Sequence, residues 1–250
     1  MKISIPGLLL SLILTPSLIQ SATPLQKTRY TQIKDATFTP LPANPTAIGD
    51  EYFQKALNGY QTFRKKYALG DKTVMQDLSR EGQKPHLMII ACSDSRVDPA
   101  VILQCDPGEL FVVRNVANIV PPYEKDGTYH GTSAALEFGI NYLHIPHLII
   151  LGHSQCAGMQ TLFESDNRTK NDDFITNWVS VVKLDTKHIH STDEYTKKAL
   201  QQSYKNCMTF PWIAERVKQN LLHIHIWFFD IKTGQIFTYS DKTKQYEPLG

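Results

Sequence analysis

Two short apolar runs, Leu87-Met88-Ile89-Ile90 and Leu148-Ile149-Ile150-Leu151, limit what this chain can fold into. Continuous apolar runs of this length, rich in β-branched residues and bounded by loop residues, fit strands buried on both faces. Each run stops at a cluster of reactive side chains. The first leads into Ala91-Cys92-Ser93-Asp94-Ser95-Arg96-Val97-Asp98-Pro99. The second leads into Gly152-His153-Ser154-Gln155-Cys156-Ala157-Gly158. In an open α/β sheet, sites are built at the carboxyl ends of neighbouring strands.

Cys92, His153 and Cys156 offer two thiolates and one imidazole, a donor set that suits Zn²⁺. His153 and Cys156 lie three positions apart, so one turn of chain aims both at one point. Cys92 has to arrive from another strand. Three protein ligands leave a position open for water, which marks a catalytic site. The alternative is two ordinary buried thiols and a loop histidine, since Cys is often buried without any role. Asp94 and Arg96 flank Ser95, so a turn has to bring both near the metal. A carboxylate–guanidinium pair there is a directional clamp on Asp94. The alternative for this pair is a structural salt bridge at a strand end.

Strands alternate with helical patterns along the rest of the chain. Strands are expected at 87–91, 111–114 and 147–151. Helices are expected at 48–67, 131–143, from 156 onward, at 192–202 and at 212–219. A strand at 221–229 pairs with 235–239 through the turn at Thr233-Gly234. The expected fold class is α/β: a central, mostly parallel sheet flanked by helices, with a C-terminal antiparallel strand. The apolar face of 48–67 fits packing on the chain's own sheet or on another subunit equally well. His223 and His225 share one face of the last long strand. They read first as structural histidines, with a second metal pair or proton shuttles as the alternatives.

The chain carries a net charge of +2 and no basic cluster interleaved with aromatics, which excludes the usual nucleic-acid footprint. Met1-Lys2, the apolar stretch 3–19 and the small residues after Gln20 read as a secretory signal peptide cleaved near Ser21-Ala22. Pro6, Gly7, Ser11 and Pro16 interrupt that stretch, so no stable membrane span is expected after cleavage. The mature protein is then periplasmic or secreted. The expected organisation is a signal peptide over 1–22, an extended arm over 23–47 and one catalytic domain over 48–250. Cys105 and Cys207 read as free buried thiols, because a chain of this length needs no disulfide staple.

Cys92-Ser93-Asp94-Ser95-Arg96 followed by Gly152-His153-Ser154-Gln155-Cys156 resembles the β-class carbonic anhydrases, and most closely their plant-type subclass. The resemblance extends through Gln83-Lys84-Pro85, Pro107-Gly108-Glu109, Arg114-Asn115-Val116-Ala117-Asn118-Ile119-Val120-Pro121-Pro122 and Leu136-Glu137-Phe138. It ends near Pro211-Trp212 and Asp230-Ile231-Lys232-Thr233-Gly234, so it covers about 51–239. It implies a β-carbonic anhydrase-like fold and reversible hydration of CO₂ to bicarbonate and a proton by zinc-bound hydroxide. One Zn²⁺ per subunit is implied, on Cys92, His153 and Cys156, with Asp94 and Arg96 as the catalytic dyad. Gln83, Phe111, Val116, Phe138 and Ala157 fall on substrate-pocket positions. Phe138 stands where a Tyr is usual and so lacks its hydroxyl. Ala157 replaces the usual Gly. The family's position at Phe138 comes from the neighbouring subunit, so the resemblance implies a homo-oligomer, a dimer or a dimer of dimers, embraced by the N-terminal arms. Hydrolysis of CS₂ or COS on the same scaffold is a second enzymatic reading. A non-catalytic zinc domain with Asp94 as fourth ligand is the reading from another class.

Overall fold

Strand β1 (Leu87–Cys92) has a parallel neighbour on each side in the structure, a computed structural model that describes residues 45–126, 130–164, 173–185 and 187–250. The expected signal peptide and nearly all of the expected arm lie outside the described residues. β1 is parallel to β2 (Leu110–Asn115) on one side and to β3 (His147–His153) on the other. β4 (His223–Asp230) continues the parallel set beside β3. β5 (Gln235–Ser240) and β6 (Gln245–Pro248) then add in antiparallel sense, giving the order β2-β1-β3-β4-β5-β6.

The two apolar runs are the centres of β1 and β3, and they are continuous because both sheet faces are covered. Successive side chains of a strand point to opposite faces. Ile89, Ala91, Ile149 and Leu151 therefore enter one core, with Val97, Met159, Val179 and Ala199. Met88, Ile90, Leu148 and Ile150 enter the other, with Leu136, Ile140, Leu200, Phe210 and Ile213. Each fully buried aliphatic side chain contributes about 1.5–3 kcal/mol relative to exposure, so both strand tips rest on a rigid base.

The helices are α1 (Pro45–Tyr67), α2 (Val74–Glu81), α3 (Pro99–Leu103), α4 (Gly131–Glu137), α5 (Ala157–Glu164), α6 (Phe174–Val179), α7 (Thr192–Cys207) and α8 (Pro211–Lys218). α7 crosses close over β3 at Gly152. A Cβ built there would lie 2.9 Å from Leu200 Cδ1, so the residue before His153 has to be small. α1 turns its aromatic stripe to solvent: Tyr52, Phe53 and Tyr60 are 67%, 62% and 59% exposed. No helix among the described residues is long and apolar enough to cross a membrane.

Several boundaries differ from expectation. The helix expected over 131–143 stops being α-helical at Glu137 and continues as one wide π-turn over Phe138–Tyr142. Within that turn Gly139 lies against Met88, where an added Cβ would meet Sδ at 2.7 Å. β3 runs two residues further than expected, so His153 is itself the last residue of the strand. The sheet closes with two antiparallel strands; the second, β6, carries no apolar run. All four cysteines are free. Burial pushes the Cys207 thiol up to about 12.

Candidate metal centre

β1 and β3 are direct neighbours, with Ala91 paired to Leu151. Cys92 and His153 consequently emerge side by side at the carboxyl edge of the sheet. After His153 the chain makes a tight turn through Gln155, whose φ of 55° is left-handed, and delivers Cys156 just before α5. One ligand atom from each of Cys92, His153 and Cys156 lies within 4.8 Å of the other two. All three residues are buried, at 6%, 0% and 0% exposure.

The donor chemistry fits a thiophilic divalent cation. His153 Nδ1 lies 2.9 Å from the carbonyl oxygen of Ser154. A carbonyl only accepts, so Nδ1 carries the hydrogen and Nε2 presents its lone pair. That Nε2 is buried and has no hydrogen-bond partner, as a metal ligand's nitrogen should be. The two thiols are tightly coupled. A hydrogen bond from Cys156 holds the Cys92 thiol well below its usual range, helped by His153 and a backbone N–H, with burial opposing. The same hydrogen bond, together with burial, pushes Cys156 upward. A cation bound here would displace the proton that the two thiols share.

Asp94 and Arg96 sit on the turn that follows β1. Arg96 Nε donates to Asp94 Oδ1 at 3.0 Å, and Nη2 donates to Oδ2 at 2.7 Å. The Arg96 backbone N–H adds a third bond to Oδ1 at 2.9 Å. These bonds hold the Asp94 carboxyl down to about 2, the guanidinium hydrogen bonds being the largest cause. Asp94 Oδ2 lies 4.0 Å from His153 Nε2, so the carboxylate borders the ligand cluster while remaining bound to Arg96. Arg96 Nη2 also reaches the carbonyl of Gln155 at 3.3 Å, which joins the two loops directly.

Sequence reasoning missed the groups that hold these loops. Arg114, at the end of β2, donates to the carbonyls of Cys92 at 2.9 Å and Asp94 at 2.7 Å, and pairs with Asp98 at 3.0 Å. Asp98 in turn caps α3 through the N–H groups of Ala100 and Val101. A lone charge ending the apolar strand Phe111-Val112-Val113 was the available signal. Ala117, left-handed at φ 65°, donates its N–H to Cys92 Sγ at 3.4 Å. Asp193 accepts from the Gln155 N–H at 2.8 Å and fixes the second loop. Ser154 ties the same loop to β4, donating to Asp230 and accepting from Ile231.

The five expected pocket residues are placed less uniformly. Val116 lies beside the start of α5, where a Cβ added to Gly158 would meet Val116 Cγ1 and Ala117 Cβ at 3.0 Å. Ala157 is the first residue of α5 and is exposed. Phe111 and Phe138 pack on each other, ring centroids 5.9 Å apart, along the β2 edge, and Phe138 stays 43% exposed. Gln83 is exposed in the segment leading to β1.

The sequence pattern of the carbonic anhydrase family matches residues 87–236, a span that holds all three ligands and both residues of the Asp94–Arg96 pair. β-carbonic anhydrase 5 of Arabidopsis thaliana is 36% identical over 192 residues, which are 73% of this chain and 62% of that protein. The chain belongs to the β-carbonic anhydrase family. Among solved β-carbonic anhydrases, CcaA superposes with a TM-score of 0.71 at 29% identity, covering 79% of this chain and 100% of that one. A tetrameric β-carbonic anhydrase from Sordaria macrospora superposes at 0.58 with 26% identity, covering 78% of this chain and 97% of its own. Cys92, His153 and Cys156 could together hold a metal ion, and two thiolates with one imidazole are a donor set that fits Zn²⁺.

Proposed function

We propose that this chain catalyses the zinc-dependent, reversible hydration of CO₂ to bicarbonate and a proton. One observation carries the reading: a buried Cys-His-Cys cluster bordered by a carboxylate already bound, at both oxygens, to an arginine. Zinc, when bound, supplies the Lewis acidity that lets water ionise near neutral pH. The residues around it do the rest. His153 is locked in the tautomer that offers Nε2. Arg96 occupies both oxygens of Asp94 and so keeps this nearest anion from taking the fourth coordination position. Asp94 retains lone pairs with which it accepts a hydrogen bond from the attacking water and orients it. Val116 and Ala157 supply apolar surface beside the cluster, whereas Gln83, Phe111 and Phe138 lie toward the amino ends of β1 and β2 and serve a small uncharged substrate from the neighbouring subunit.

The same reading includes assembly and location. Phe138 and the stripe of α1 are too exposed for a finished pocket and a finished surface. Exposed aromatics in such numbers mark an interface. The functional unit is therefore a dimer or dimer of dimers, in which a second subunit covers both. The N-terminal signal-like segment supports export to the periplasm or beyond, as a soluble mature protein.

The test measures zinc content and CO₂ hydration together on the mature protein, with CS₂ and COS as competing substrates. One zinc per subunit and CO₂ turnover are expected. Cys92→Ser should lose zinc and activity together, because a hydroxyl does not replace a thiolate ligand. Stoichiometric zinc in Cys92→Ser at wild-type affinity would refute the ligand set.

A further inference from the structure

Three imidazoles meet at the opposite edge of the sheet. His147 begins β3 and His223 begins β4, and the two are register partners. His225 lies two residues along β4, beside Ile149. In-register neighbours of a parallel pair share a sheet face, as do residues i and i+2, so all three rings lie on one face. His147 Nδ1 is 3.1 Å from His225 Nε2. The His147 ring stacks on His223 with centroids 5.2 Å apart and lies 5.3 Å from the ring of His225. His147 and His225 are half-buried, His223 is exposed, and Trp227 flanks His225 with ring centroids 6.3 Å apart. His153 stands six residues further along β3, roughly 20 Å away at about 3.3 Å per residue, so this cluster is separate from the Cys-His-Cys centre.

A metal–imidazole bond is about 2.0–2.1 Å long. Two nitrogens 3.1 Å apart are each within that reach of a common point and subtend about 100° there, near a tetrahedral angle. We propose that His147 and His225 form a second metal site, for a borderline divalent cation such as Zn²⁺, Ni²⁺ or Cu²⁺, with His223 as a third imidazole beside it. Imidazole suits each of these ions. As the rings stand, one of the two facing nitrogens carries the shared hydrogen. Coordination needs both bare. That hydrogen moves through solvent to the far nitrogen of its own ring, so a neutral pair binds the ion with no net proton released. Burial and then the two neighbouring imidazoles hold His225 below the usual range, which favours its neutral, metal-binding form. The exposed His223 leaves the ion a path from solvent.

The experiment uses untagged, zinc-loaded enzyme titrated with Ni²⁺ by calorimetry, with zinc content followed so that exchange at the first centre is seen. One Ni²⁺ per subunit should bind with zinc retained. His147→Gln and His225→Gln should each weaken binding at least about tenfold while CO₂ hydration continues. Unchanged Ni²⁺ affinity in both variants, or no saturable site in the wild type, overturns the proposal. A second measurement needs no substitution. Ni²⁺ should slow diethyl pyrocarbonate modification of His147 and His225 but not of His188 or His190, as read by peptide mass mapping. Equal rates for His147 and His225 with and without Ni²⁺ also overturn it.

Discussion

Arg96 grips Asp94 at both carboxylate oxygens, 3.0 Å to Oδ1 and 2.7 Å to Oδ2, while Oδ2 remains 4.0 Å from Nε2 of His153. The nearest anion to the metal ligands is thus committed elsewhere before any metal arrives. Without Arg96, the carboxylate and a cation would stand side by side with nothing between them. Arg96→Ala should therefore keep its zinc and let Asp94 become the fourth ligand. Hydration should fall by about a hundredfold. Metal analysis, X-ray absorption at the zinc edge and CO₂ hydration check this. Wild-type activity with full metal removes the clamp, and loss of metal together with activity makes Arg96 a structural residue.

Asp94 is held down to about 2, chiefly by the Arg96 hydrogen bonds. A lowered carboxyl pKa means the charged form persists as pH falls, until that value is approached. Asp94 is accordingly ionised from about pH 4 upward, and any rise of activity with pH between 5 and 9 arises elsewhere in the site. A pH–rate profile of wild type checks this. A limb with a midpoint near 4–5 that disappears in Asp94→Asn would contradict it.

Arg114 joins the carbonyls of Cys92 and Asp94 to Asp98. Arg114→Met removes three charge-assisted hydrogen bonds, two of them to the Cys92 and Asp94 carbonyls. The expected cost is about 3 kcal/mol in urea unfolding, with weaker zinc retention against a chelator. Arg114→Lys should recover only part of it, because an ammonium lacks the planar fork. Equal stability and zinc affinity in all three proteins would show that the turn after β1 holds itself.

Phe53 and Tyr60 project from α1 at 62% and 59% exposure. If a second subunit covers them, Phe53→Glu with Tyr60→Glu should shift the protein to a smaller species in light scattering and cut activity across a dilution series. An unaltered oligomer, or a fully active wild-type monomer, counts against the proposed interface.

Mature protein isolated from its native host should begin close to Ala22 or Thr23. Mass spectrometry of the N-terminus with fractionation checks this, and an intact Met1 in cytosol overturns export.

The parts of the fold that sequence reveals are those with strong local signals. β1 and β3 announce themselves because burial on both faces leaves no room for polar residues. The three ligands were legible because each follows such a run. β6 was not legible: Gln245-Tyr246-Glu247-Pro248 is an edge strand whose Tyr246 carries its packing, so no apolar run is required. α2 and α3 were passed over although each has a start signal, the Thr73–Gln76 capping box and Asp98-Pro99 respectively. The roles of Arg114 and Ala117 depend on β1 pairing with β2 and on a left-handed turn, which no local pattern displays. The meeting of His147 with His225 is likewise a matter of register, since 78 positions separate them.

Cys92 leaves the sheet at the tip of β1, whereas His153 and Cys156 leave it at the tip of β3, after the whole of β2 and α4 has intervened. An ion held by all three is a reversible crosslink that closes the chain between residues 92 and 156. For a covalent bridge around a loop of that length, the chain-entropy relation gives about 4 kcal/mol. Zinc held there would act as a clasp on two strand ends as well as a reagent, and the melting temperature of the protein should track the free zinc concentration around it.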